Sequence, residues 1–113
     1  RELVRIDVAK QVVMSAKIIS ACEAHEIGLV THLDDNPTQA ARDIALEMSA
    51  YSPDAVAAGK FLLQEAWDAS ESSATAAERR WQRRLIGRAN QRISVARNGK
   101  ESHKPFKRRS VSK

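Results

Sequence analysis

Few residues in this sequence are both reactive in type and suitably spaced. His25-Glu26 followed by His32 invites a metal site. Helical zinc ligation, however, needs a second His four positions after the first, and that position is Leu29. The histidines therefore read as polar surface residues, and no metal ligand is assigned. Cys22 falls in the first turn of an expected helix, where the dipole favours a thiolate, but no base or second cysteine stands nearby in sequence. The expectation is a small buried thiol. Glu23 carries the carboxylate of a general acid or base, yet it follows Ser20 by three residues. That is the spacing of a capping box, in which the Ser hydroxyl takes the Glu backbone N–H and the carboxylate returns to the Ser N–H. No Ser-His-Asp order, glycine-rich phosphate loop or paired carboxylate adds nucleophilic or phosphoryl chemistry.

Charge is the strongest compositional signal. The 113 residues carry a net charge of +5, but residues 1–78 hold 6 Lys/Arg against 13 Asp/Glu, whereas residues 79–113 hold 13 against 1. Such polarity lets the two parts attract each other or offers the basic end to an anion. Arg79, Arg80, Arg83, Arg84 and Arg88 recur at helical spacing, opposite Trp81 and Leu85. They form a cationic stripe that is either solvated, paired with the acidic part, or turned to phosphates. Interleaved aromatics for base stacking are missing, which weighs against nucleic acid.

The elements that position these residues are helices. Asp7 is the expected N-cap of a first helix bearing Val8, Ala9, Val12, Val13 and Ala16. Ser20 starts a short second helix, Gly28 stops it in the left-handed conformation, and Leu29-Val30 leave as a short strand. Asn36-Pro37 opens a third helix to about residue 50, with Gln39 as capping partner and Ala41, Ile44, Ala45 and Met48 on its apolar face. Ser52-Pro53 opens a fourth, whose apolar stripe carries Val56, Leu63, Ala66 and Trp67. Gly59 within it calls for a close packing contact. After Ser70 to Ser73 a fifth helix follows, and Asn90 caps a last one closed by Asn98-Gly99. The expected fold class is mainly α, five or six helices with at most one short strand over residues 1–99. Residues 100–113 are expected to form a basic, disordered tail. One cysteine, no secretory signal pattern and no apolar run approaching the roughly eighteen residues of a membrane span point to a cytoplasmic location, and Arg1 in place of Met to a chain that starts within a longer protein.

Ala9-Lys10, Ile19, Ala21, Glu23-Ala24 and Gly28-Leu29-Val30 fall in register with a motif of the crotonase (enoyl-CoA hydratase/isomerase) family, A-K-x-L-x-x-T-G-x-x-I-x-A-x-E-A-x-x-x-G-L-V. Ser52-Pro53, Ala55-Val56 and Lys60 with Leu63 are similar to the family's S-P-x-A-V-x-x-x-K-x-x-L. The chain thus resembles the C-terminal part of that family. Two family glycines are replaced, near Asp7 and at Ala16.

The resemblance implies a parent enzyme that hydrates or isomerises a 2-enoyl-CoA. It also implies that the catalytic glutamates and oxyanion hole lie upstream, so no catalytic residue is assigned here. This part would cap the acyl pocket and build a homo-oligomer, a trimer or hexamer in the parent. No cofactor is implied, coenzyme A entering only as part of the acyl-CoA substrate. In some family members a Lys of the last helix reaches the coenzyme's phosphate. Here Glu101 takes that position, and Lys100 and Lys104 are the adjacent candidates. The competing reading is a basic helical module that binds nucleic acid or an acidic partner.

Overall fold

The computed structural model describes residues 3–99 and 103–113. The fold is mainly α, with six helices among the described residues: α1 (Ile6–Ser15), α2 (Ala21–Glu26), α3 (Pro37–Ser49), α4 (Pro53–Ala66), α5 (Glu71–Leu85) and α6 (Ala89–Asn98). Residues 1–43 and 44–113 form two compact units, with the boundary inside α3.

In the first unit the capping box at Ser20 is complete. The Glu23 N–H donates to Ser20 Oγ at 3.2 Å and the Ser20 N–H to Glu23 Oε2 at 2.8 Å. α2 then ends in a Schellman closure, with Leu29 N–H on Ala24 O at 2.8 Å and Gly28 N–H on His25 O at 3.0 Å. Gly28 sits at φ +78°, and a Cβ there would meet the Leu3 carbonyl oxygen at 3.0 Å, so both conformation and space require glycine. The expected strand at Leu29-Val30 does not form. The Val30 N–H also turns back to Ala24 O, and no other extended segment among the described residues supplies a ladder.

One expected cap is displaced and another is incomplete. Arg5, not Asp7, is the N-cap of α1; Asp7 lies in the first turn, where its carboxylate takes the Arg5 guanidinium at 2.6 Å and also favours the positive helix end. Asn36 caps α3 through Oδ1 on the Gln39 N–H at 3.2 Å, but the Gln39 side chain turns forward to Asp43 instead of returning to the cap. Ala16 ends α1 at φ +50°, ψ +27°, a left-handed position held without glycine.

The core of the second unit is built from Ala58 on α4, Trp81 on α5 and Val111, with Phe61, Leu62 and Leu85 packed around it. The Phe61 and Trp81 rings lie 5.4 Å apart between centroids, a tilted pair. Ser52 and Ser70 cap α4 and α5 as their spacing from Ala55 and Ser73 requires. The buried face of α4 is not the expected one. Ala57 and Ala58 are buried and Phe61 and Leu62 half-buried, whereas Val56, Leu63 and Trp67 are exposed. α4 is apolar on two sides, and the α5 contact selects the side whose small alanines let Trp81 approach. Gly59 has no atom within 4 Å of a Cβ built on it, so the close packing contact expected there is absent.

Candidate functional site

Asp54, the second residue of α4, is 2 % exposed and, among the described residues, has no cation as a hydrogen-bond partner. Its Oδ1 accepts the backbone N–H of Ser110 at 2.6 Å and of Val111 at 3.0 Å. Its Oδ2 accepts Asn90 Nδ2 at 2.9 Å, and the Ser110 hydroxyl reaches both oxygens at 3.2–3.3 Å. Burial pushes the carboxyl pKa up, but the Ser110 and Val111 amides, Asn90 and the Ser110 hydroxyl together outweigh it and hold the group below its ordinary value. The anion is thus solvated by donors from the tail and α6.

Asn90 is not the cap of α6 that its sequence position suggests; Arg88 is the N-cap, without a side-chain bond, and Asn90 is buried as the second residue of the helix. Its amide grips the Lys107 backbone from both sides, with Lys107 N–H on Oδ1 at 2.8 Å and Nδ2 on Lys107 O at 3.1 Å. Arg97 adds a third tie, donating Nε to the Lys104 carbonyl at 2.9 Å while its guanidinium covers the Phe106 ring at 4.1 Å. Residues 103–113 contain no helix or strand, yet these side chains fix their course across α4 and α6.

That course closes a groove of about 500 Å³ between the end of α3, the first turns of α4 and the tail. Met48, Pro53, Val56, Ala57 and Phe106 give it an apolar floor. Lys60, Lys107, Arg108 and Arg109 stand around it, with Ser49 and Tyr51. No Asp or Glu is among the described residues that line it.

The arginine stripe of α5 is divided. Arg80 is ion-paired with Glu65, which also accepts Trp81 Nε1 at 3.1 Å. The Arg80 and Trp81 bonds hold the Glu65 carboxyl below its ordinary value. Arg84 lies 4.7 Å over the Trp81 ring and donates to the Ser112 carbonyl at 3.1 Å. Arg79 and Arg83 have no carboxylate within ion-pair distance among the described residues.

Other candidates from the sequence are scattered. Glu23 is taken up by its cap and by Lys17 at 2.6 Å; the Lys17 ammonium first, then the Ser20 donors, bring its carboxyl down to about 2. His25 lies in the last turn of α2 and His32 beyond the closure, both exposed. Among the described residues no group of three His, Cys, Asp or Glu side chains is gathered for a metal ion. Cys22 is exposed rather than buried, because the short α2 buries only Ala24. Lys100 lies outside the described residues. Lys104 is placed in the tail, its carbonyl on Arg97. The Asp54 node was missed by sequence reasoning; its signal would have been an Asp inside a helix's first turn with three donor-rich residues far along the chain, a pattern without fixed spacing.

No protein-family model matches the chain, and no curated protein matches it. Among the described residues no helix is long and apolar enough to cross a membrane.

Proposed function

We propose that the chain is the C-terminal helical part of a crotonase-like enzyme that hydrates or isomerises an acyl-CoA thioester, and that it caps the acyl pocket and joins subunits. The observation that carries this reading is Ala16. It stands where the family motif has glycine, and it adopts φ +50°, a backbone conformation for which glycine is the natural residue. The exposed apolar faces support it further. Val13 and Met14 on α1, Ile44 and Met48 on α3, and Val56, Leu63 and Trp67 on α4 are each at least 40 % exposed. Helices so patterned are built to cover another surface. In this reading the chain has no acid–base pair of its own and turns over nothing alone. The test adds a short 2-enoyl-CoA to the chain and follows the conjugated thioester absorbance, together with the sequence of the gene upstream of Arg1. A silent chain preceded by an oxyanion loop and acidic residues is the expected result. Turnover by the chain alone, or unrelated upstream sequence, overturns it.

A second reading, a basic module for nucleic acid or an acidic partner, is favoured by Arg79 and Arg83, which lack carboxylate partners among the described residues. Binding through them would weaken steeply with added salt, whereas packing through Ile44, Met48 and Leu63 would not.

A further inference from the structure

The groove between α3, α4 and the tail shares Met48 and Val56 with the apolar faces of the assembly reading, and adds to them an enclosed volume and a set of cations. Its volume of about 500 Å³ lies in the range of small-molecule sites. Its floor is apolar, and every charged residue among the described ones that line it is a cation. Lys60, Lys107, Arg108 and Arg109 have no carboxylate within ion-pair distance among the described residues. Three of the four belong to a segment whose backbone is tied down on both sides. Asn90 holds the N–H and carbonyl of Lys107, and Asp54 holds the amides of Ser110 and Val111, directly after Arg109. The cations are therefore presented on a preorganised backbone, which lowers the ordering cost of binding.

We propose that this groove binds an amphiphilic organic anion, an apolar chain bearing a carboxylate or phosphate head. The chain would lie on Met48, Val56 and Phe106, and the head would meet Lys60 and the Lys107–Arg109 run. Charge selects this occupant over the alternatives. A second copy of the same surface would bring like charges together, and a nucleic-acid strand would use the cations while leaving the apolar floor bare. The proposal does not rest on the crotonase-like reading, since Lys100 and Lys104 play no part in it, but the two compete for Met48 and Val56.

Calorimetric titration of the full chain tests it, with dodecanoate, dodecyl phosphate, dodecan-1-ol and dodecyltrimethylammonium as probes, each below its micelle concentration. At least one anion is expected to bind to a single site, with the alcohol weaker by about tenfold or more and the cation weaker still, as the loss of a charge-assisted contact implies. Whichever head binds more tightly identifies the source as a fatty acid or a phosphorylated lipid. Lys60→Glu combined with Arg108→Glu, both exposed positions, should cost about tenfold or more in affinity with an unchanged circular dichroism spectrum. Arg83→Glu on α5, outside the groove, should leave affinity as it was. Equal binding of the alcohol and the anions, affinity unmoved by the double charge reversal, or no binding of either anion overturns the proposal.

Discussion

Asn90 Nδ2 donates to the buried Asp54 Oδ2 at 2.9 Å while the same amide's Oδ1 accepts the Lys107 N–H at 2.8 Å. The amide therefore cannot flip without losing both bonds. Asp54→Asn would set an NH₂ group against either Asn90 Nδ2 or the amides of Ser110 and Val111, all donors. One buried donor is left without an acceptor, at a cost of about 1–3 kcal/mol. Urea unfolding should register that loss, whereas Asp68→Asn, on an exposed carboxylate, should change little.

The same carboxylate makes tail docking depend on pH. Its folded pKa is depressed below the unfolded value of about 3.9, so its contribution is fully present above that value and is lost as pH falls through the folded pKa. Hydrogen exchange at the Val111 amide, donated to Asp54 Oδ1 at 3.0 Å, reads this directly. After correction for intrinsic exchange, protection should be constant from neutral pH down to about 4 and fall below it. In Asp54→Ala, protection of that amide should be low at every pH.

Glu23 gives a second acid transition, in the other unit. Lys17 and the Ser20 donors hold its carboxyl at about 2 against an ordinary 4.5. The cap's contribution to α2 is therefore complete above 4.5 and fades as pH falls toward 2. Carboxyl chemical shifts followed by titration should place Glu23 well below its ordinary 4.5. Ser20→Ala should raise that titration part of the way back, because the Lys17 contribution remains.

The helices were legible because their start signals are local. Ser20 with Glu23, Asn36-Pro37 and Ser52-Pro53 each place an oxygen where orphan amides must be satisfied, and each forms its cap. Ser70, expected only as part of a polar break, caps α5 as well. What was not legible is non-local. Asp54 reads in sequence as an ordinary acidic residue in a first turn, and its burial depends on amides 56 and 57 positions later. The inward face of α4 was misread because Val56, Leu63 and Trp67 are more apolar than Ala57 and Ala58, yet Trp81 needs small neighbours more than greasy ones. The Leu29-Val30 strand failed because apolar composition makes a segment extended only when a partner offers a ladder.

Gly59 lies in mid-helix on the exposed side of α4, three residues from Val56 and four from Leu63, with open space where its Cβ would be. Gly59→Ala should therefore stabilise the isolated chain by about 1 kcal/mol, the helix propensity difference, measurable as a higher urea midpoint with unchanged slope. If α4 receives a partner helix in the parent enzyme, as the assembly reading requires, the added methyl would block close approach. The same substitution should then lower the assembled fraction in sedimentation. Higher stability together with unchanged assembly would remove α4 from the interface.

Ala16 carries the sharper test of the resemblance, because strain there is a property of the chain alone. An L-residue at φ +50° places Cβ near its own following carbonyl, at a cost of about 1–2 kcal/mol that glycine does not incur. Glycine's freer unfolded chain takes back about 0.4–1 kcal/mol, so Ala16→Gly should be stabilising by up to about 1.6 kcal/mol. α1 has ten residues and none of them is buried, so its helicity should be marginal and responsive to that gain. Amide exchange at Val13 and Met14 should slow in Ala16→Gly. Ala16→Val, whose branched Cβ tolerates positive φ still less, should fray the helix end. Equal exchange in all three proteins would mean that the left-handed turn at residue 16 is not populated in solution, and the resemblance would lose the position that carries it.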